Sequence, residues 1–200
     1  VAKQKYYNGT TPSSKFTSIA GGASPAIKWL HKNGYLSGCG HSLDFGCGRT
    51  ARNSEWLAEQ GVRVFRYDPY WGDGGDDRGW LKGKISMKLP NFQDFHYVFS
   101  SFVLNVVTKS DQDDIIKACK KIAPYQIHIV RNDVITAAQK ALDKKDPIAT
   151  AFRKKHLNGG SAEELARFGF VTKKGFQRQI DEIKGYSCIK ETSSYRIFIN

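Results

Sequence analysis

The sequence predicts an α/β fold: a Rossmann-like, doubly wound, mostly parallel seven-stranded sheet with an antiparallel C-terminal edge. Three observations carry this. Short apolar, strand-like runs alternate with helical segments through residue 130, the pattern of right-handed βαβ crossovers with helices on both faces of a parallel sheet. The first run ends in a glycine turn, Gly46-Cys-Gly48, that leads into a helix. The last apolar runs are closely spaced, which suits antiparallel pairing better than a crossover.

Each element follows from local chemistry. Residues 1–23, with Thr10-Thr-Pro-Ser-Ser14 and Gly21-Gly22, read as an irregular basic arm ahead of one domain over 24–200. Ser24-Pro25 supplies an N-cap and then proline at the first helical position, so Ala26 to Tyr35 is helical and closes at Asn33-Gly34. His41 to Phe45 reads as a short buried strand. Thr50 or Asn53 offers a cap for the next helix, which carries Trp56, Leu57 and Ala58 and stops at Gly61. Val62 to Tyr67 is a second strand, ended at Asp68-Pro69 because proline cannot continue a central ladder. Gly72 to Gly79 is a turn-rich loop holding Asp73, Asp76 and Asp77.

Phe95 to Leu104 opens as a strand. Ser110 to Ile122 is helical, with Asp111, Asp113 and Asp114 near the positive end of its dipole. Tyr125 to Val130 is a strand, and beyond Asn132 a basic helical pattern runs to about His156. Ser161-Ala-Glu-Glu164 matches a capping box. Phe176 to Ile180 and Tyr195 to Ile199 read as two terminal strands.

Two hundred residues support one core rather than two. A chain that is 40% hydrophobic, 12% aromatic and 25% charged is not wholly disordered. No apolar run reaches the roughly 20 residues of a membrane span. Val1 to Thr10 lacks the apolar centre of a secretory signal, so a soluble, intracellular, cytoplasmic protein is expected.

Charge is more informative. Lys and Arg number 31 against 19 Asp and Glu, a net charge of +12. Residues 1–40 contain Lys3, Lys5, Lys15, Lys28 and Lys32 and no acid, and a second basic concentration lies at Lys144, Lys145, Arg153, Lys154 and Lys155. Such a field attracts polyanions, of which nucleic acid, DNA or RNA, is the commonest in a cell; the plain alternative is a basic solvated surface. Cys39, Cys47, Cys119 and Cys188 form no C-x-x-C pair. Cys39 and His41 lack a second ligand pair, so no metal site is expected and the thiols read as reduced core residues.

The chemistry concentrates where the first two strands end, because doubly wound sheets bind ligands at their carboxyl edge. Leu43-Asp44-Phe45-Gly46-Cys47-Gly48 places two glycines in a tight turn, where no Cβ blocks a ligand. Asp44 beside it suits a cationic or amine-bearing group. Asp68 ends the second strand 24 residues after Asp44, near the interval of an acid that grips ribose hydroxyls. Together they point to a nucleoside-containing cofactor. The run Gly46-Cys-Gly-Arg-Thr-Ala51 also satisfies the G-x-G-x-x-A form, so a nicotinamide dinucleotide and a purely structural turn stand as alternatives. A carboxylate two residues before the first glycine sits poorly beside a pyrophosphate and well beside the amino group of S-adenosyl-L-methionine.

Leu43 to Gly48 resembles motif I of the class I S-adenosylmethionine-dependent methyltransferases, and Tyr67-Asp-Pro69 resembles their motif II. His96 to Val107 is similar to their fourth strand and the segment after it. The resemblance is closer to phage and bacterial methyltransferase-like proteins, including those associated with DNA phosphorothioation systems. Asp68-Pro-Tyr-Trp71, Val103-Leu-Asn-Val106, Val130-Arg-Asn-Asp133, Gly175-Phe-Gln-Arg178 and Glu191-Thr-Ser-Ser-Tyr-Arg196 match in order.

By this resemblance Asp44, Gly46 and Gly48, with Phe45 and Cys47 between them, seat the methionine part of the cofactor. Asp68 takes the ribose, Pro69 and Tyr70 flank the adenosine, and Ser100 and Ser101 lie near the sulfonium. One departure is visible: Ile85-Ser-Met-Lys-Leu-Pro90 offers no acid for adenine, which leaves backbone and apolar contacts for that ring.

Two residues are candidates for catalysis. Asn105 lies in an apolar run, as a buried network residue or a substrate contact, since burial without partners costs roughly 1–3 kcal/mol. Arg131 follows a buried strand, set either to bind a phosphate or carboxylate or to pair with Asp133. Tyr6, Tyr7, Tyr70 and Trp71 either stack a base or pack in the core. Asp68-Pro69-Tyr70 is similar to the D-P-P-Y element of amino-methylating DNA enzymes, but lacks the second proline and follows the second strand rather than the fourth. The expected function is a methyltransferase acting on nucleic acid, a nucleotide or another acceptor. Its rival is a non-catalytic module of the same fold that binds nucleic acid or S-adenosylmethionine.

Overall fold

The computed structural model describes residues 22–37, 40–72, 78–89, 95–172 and 175–200. The arm, apart from its last two residues, lies outside them, as do Cys39, the acidic loop 73–77 and Pro90. Helix α1 (Pro25–Lys32) starts as its sequence requires: the Ser24 side chain accepts from the Ile27 amide and proline occupies the first turn. Strand β1 (His41–Phe45) and strand β2 (Arg63–Tyr67) flank helix α2 (Arg52–Glu59). Neither Thr50 nor Asn53 caps α2. Its N-cap is Ala51 in the left-handed region, with no side-chain cap, and Asn53 Oδ1 instead accepts the Ser24 amide at 2.9 Å, tying α2 to the start of α1.

Strand β3 (Phe95–Ser101) runs through a short 3-10 turn, Leu104–Val106, into helix α3 (Lys109–Ile122), capped by Thr108. Strand β4 (Tyr125–Arg131) follows. The long basic helix expected beyond Asn132 is two helices, α4 (Val134–Asp143) and α5 (Pro147–Leu157). The break lies at Asp146-Pro147, where the aspartate accepts from the Ile148 and Ala149 amides and proline begins a new first turn. Helix α6 (Ala162–Phe168) carries the capping box between Ser161 and Glu164.

The C-terminal part departs further from expectation. Phe176–Ile180 is not a strand of the main sheet. The strand there, β6 (Gly175–Gln177), pairs with β5 (Phe170–Thr172) in a separate two-stranded ribbon. The main sheet is completed by β7 (Ser187–Glu191) and β8 (Tyr195–Ile199).

Among the described residues the sheet has six strands, not seven, in the order β2-β1-β3-β4-β8-β7. Strands β1 to β4 are parallel, and both pairings at the C-terminal edge, β4 with β8 and β8 with β7, are antiparallel. Strand β8 is therefore the one reversed strand of the six. Where a seventh would lie outside β2, the chain makes a single parallel bridge, Tyr67 with Ser86. It goes no further because Ser86 Oγ bonds to Lys88 on both its amide and carbonyl and turns the backbone away. Apolar layers cover both faces. Ile27, Leu30, Leu57, Val64 and Phe99 pack on the α1–α2 side, and Leu43, Phe45, Phe65, Val98 and Cys119 on the α3 side. Helices α4 to α6 enclose a satellite core around Phe152, Leu165 and Phe170. Among the described residues no helix is long and apolar enough to cross a membrane.

Candidate functional site

Parallel pairing of β1 and β2, with Phe45 opposite Tyr67, brings their carboxyl ends to one place. The Tyr67 carbonyl accepts both the Gly46 amide (2.8 Å) and the Cys47 amide (3.0 Å), folding the glycine turn over the end of β2. Gly46 has φ +78°, and a Cβ there would stand 2.6 Å from Val103 Cγ2. Close packing against Val103, as well as backbone conformation, thus requires glycine at this position.

The two carboxylates singled out in the sequence flank this turn and differ in their partners. Asp68 is 3% exposed. Its Oδ2 accepts from Gly48 N at 2.9 Å, and its Oδ1 accepts from the Tyr70 and Trp71 amides at 2.9 and 3.2 Å. Burial raises its pKa, while those amides pull the other way. Asp44, 1% exposed, accepts from Ser54 Oγ on α2 through Oδ2, and its buried Oδ1 has no partner among the described residues. Burial pushes its carboxyl up to about 7; the Ser54 bond opposes this, the Asp68 charge adds to it and the Arg66 charge opposes it. The Cys47 thiol, buried between these acids, is pushed well above its ordinary range, chiefly by burial.

Arg66 is the cation beneath them. Its Nε pairs with Glu55 Oε1 at 2.9 Å, and its Nη1 donates to the Gly79 carbonyl at 3.1 Å. Ser54, Glu55 and Arg66 escaped the sequence reading, because nothing in a helix-facing serine or a strand arginine marks it as the partner of a distant carboxylate. Trp71 adds a further feature: its buried indole N–H has no partner among the described residues, and the Arg49 guanidinium lies 5.7 Å from the ring centroid.

The other candidates fall in different places. Phe45 is core, edge-on to Tyr67 at 5.0 Å, whereas Pro69 is half-buried and Tyr70 is 37% exposed. Ser100 is buried and bonds to His128 Nδ1 at 2.9 Å on the α3 side of the sheet. Ser101, half-buried at the end of β3, has a buried hydroxyl without a partner.

Asn105 is fully buried. Its amide donates to the Arg178 carbonyl at 2.8 Å, and its oxygen accepts the Arg131 amide at 2.6 Å. Of its two readings, this is the geometry of the network residue. Arg131 makes a two-pronged pair with Asp133 at 2.8 Å and donates to Gln177 at 3.0 Å, the pairing reading. Tyr6 and Tyr7 lie outside the described residues. Among the described residues no three His, Cys, Asp or Glu side chains gather as a metal would need.

Two of the clefts that the described residues form lie away from the glycine turn. One, of about 360 Å³, lies against Arg63, Arg66 and Trp80. The other, of about 860 Å³, runs between α3 and residues 178–184.

The chain matches no protein-family model and no curated protein. It is similar in fold to magnesium protoporphyrin IX methyltransferase from Synechocystis PCC 6803, solved with bound S-adenosylhomocysteine: TM-score 0.51, 16% identity, over 87% of this chain and 78% of that one. It is also similar to a chain from Rhodobacter sphaeroides provisionally described as a Zn-dependent alcohol dehydrogenase: TM-score 0.53, 10% identity, over 95% of this chain and 98% of that one. At these identities the likeness is one of fold: a mixed α/β, Rossmann-like architecture shared with a methyltransferase.

Proposed function

We propose that this chain is an S-adenosylmethionine-dependent methyltransferase whose cofactor seat is the Gly46–Gly48 turn between Asp44 and Asp68. The observation that supports it most is the orphaned Asp44 Oδ1. A buried carboxylate oxygen without a donor is costly, and an ammonium group beside the turn would supply the donor. The Asp68 side fits as well: Oδ2 takes one amide only, which leaves a lone pair for a ribose hydroxyl. S-adenosylmethionine, when bound, supplies an electrophilic methyl group on a sulfonium. The chain's own task is then to position the acceptor, since alignment alone supplies much of the rate. Asp44 and Asp68 orient the cofactor's polar ends, and Tyr70 and Trp71 present aromatic surface beside it.

The methionine amine is the group Asp44 would meet, and its charge favours the ionised carboxylate. The net charge of +12 supports a nucleic acid or nucleotide acceptor.

A second reading has its own support. Asp68 already accepts three amides, and Val103 packs against Gly46, so the turn satisfies itself as a structural device would. That favours a non-catalytic module of methyltransferase fold. Calorimetry with S-adenosylmethionine, followed by incubation with methyl-labelled cofactor and DNA, RNA or cell extract, separates the two. Uptake and label transfer support the enzyme. Uptake without transfer supports the module, and no uptake at millimolar cofactor rejects the seat itself.

A further inference from the structure

We infer that the cleft between α3 and residues 178–184 is a docking groove for the phosphodiester backbone of a nucleic acid strand. Both walls run from the carboxyl edge of the sheet towards its amino edge. Helix α3 begins just after the end of β3, while the facing segment begins where the Arg178 amide bonds to the Asn105 carbonyl and ends near Tyr186, whose hydroxyl reaches Gln126 on β4.

Six cationic and three acidic side chains line the cleft. Two of the acids are already neutralised: Asp113 by Lys109 at 2.5 Å, and Asp181 by Arg167 and Arg196 at 2.9 and 2.7 Å. Glu182 is the remaining lining acid. Against it stand Lys117, Lys120 and Lys184, all exposed and none within ion-pair distance of a carboxylate among the described residues. Arg178 adds a fourth cation. It donates to Gln112 through Nη2, while its buried Nε has no partner among the described residues.

The floor is apolar, formed by Ile116, Ile180 and Ile183. A basic rim over an apolar floor suits an anionic backbone carrying flat, weakly polar bases. Lys109 to Lys120 spans about 16 Å of helix at 1.5 Å per residue, close to five nucleotide steps at 3.4 Å per strand. A chain of like charges in a groove is the arrangement that releases counterions from a polyanion. An isolated phosphate would use only a fraction of the 860 Å³.

The inference does not depend on methyl transfer, so its test uses the full chain without S-adenosylmethionine. Fluorescence anisotropy with labelled single-stranded 20-mers of DNA and RNA compares two triple variants of equal charge change. The cleft set is Lys117→Gln, Lys120→Gln and Lys184→Gln; the control set is Lys144→Gln, Lys154→Gln and Lys155→Gln, in the other basic concentration. Circular dichroism and a urea midpoint verify folding of each variant, the second because Lys120 also lies 5.4 Å from the Tyr186 ring centroid. The cleft set should bind about 30- to 100-fold more weakly at 0.1 M salt and lower the logarithmic salt slope by about 2, for three lost contacts at about 0.7 each. The control set should change affinity less than 3-fold. Equal losses in both sets, or retained affinity in the cleft set, overturn the groove. So does cleft-dependent binding to phosphatidylserine vesicles or to a poly-glutamate peptide in the absence of oligonucleotide binding.

Discussion

Asp68 Oδ2 accepts the Gly48 amide at 2.9 Å, so the carboxylate that ends β2 is stitched to the turn that ends β1. The same side chain holds the Tyr70 and Trp71 amides through its other oxygen. The fold and the proposed cofactor seat therefore draw on one group, and a test of either must read both.

Asp68→Ala leaves three amides without their acceptor and should cost about 2–3 kcal/mol, read as a lower urea midpoint at unchanged slope. Asp68→Asn keeps an oxygen for Tyr70 and Trp71 but turns an amide group towards Gly48. It should cost less stability yet weaken S-adenosylmethionine binding at least about tenfold, through one lost hydrogen bond of roughly 1.4 kcal/mol. Unchanged affinity in Asp68→Asn would reject the ribose role.

Asp44 and His128 give stability opposite dependences on pH. Burial holds the Asp44 carboxyl up to about 7, so the folded chain binds its proton more tightly than the unfolded one, and stability is lost as pH rises from about 4 through 7. His128, on β4, is held down to about 4 by burial and then by Lys120, so its contribution is present above its ordinary pKa and lost as pH falls from about 6.5 through 4. Each effect is on the order of 3–4 kcal/mol. The two effects oppose one another between pH 4 and 7. Asp44→Asn should expose a stability that climbs with pH, and His128→Phe one that falls. Chemical denaturation at pH 4, 5.5 and 7 checks both signs.

Gly46→Ala meets both Val103 and a left-handed backbone. A destabilisation of about 1–3 kcal/mol is expected. Pairing it with Val103→Ala should recover the steric part and leave the conformational part, so a double-mutant cycle in thermal unfolding should give a coupling of about 1 kcal/mol. Additivity of the two changes would show that the contact carries no energy.

Glu55→Ala removes the carboxylate facing the buried Arg66 guanidinium. Stranding such a charge costs about 3 kcal/mol or more. Arg66→Met with Glu55→Ala should restore much of it, since the cost lies in the unpaired ion rather than in lost attraction. Melting temperatures of the single and double variants read the difference.

Most of the frame was legible in the chain, because its signals were local. Ser24-Pro25, Ser161 with Glu164, and the run from His41 to Phe45 each announce themselves within a few residues. Strand β7 did not: Ser187–Glu191 lies at the sheet edge and is mostly exposed, so it lacks the apolar run that marks a buried strand. The seventh strand was expected from the general pattern of the fold, whereas Ser86 supports only one bridge beside β2. At the candidate site, the glycine turn and the spacing to Asp68 were enough to bring Asp44 and Asp68 to neighbouring strand ends, as the parallel pairing of β1 and β2 does. The bond to Ser54 and the placement of Asn105 were not legible, since both join residues that only tertiary packing brings together.

The reversed strand has a consequence for the order in which the chain assembles. Tyr195–Ile199 inserts between β4 and β7, so β7, made earlier, has no neighbour in the sheet until β8 arrives. Asn200 then fastens the joint, its Oδ1 taking the Gln126 amide at 2.7 Å and its amide reaching the Pro124 carbonyl at 2.9 Å. A nascent chain stalled before Tyr195 would carry an open flank on β4 and a loose ribbon beyond it, ready to be captured by any passing strand of its own kind.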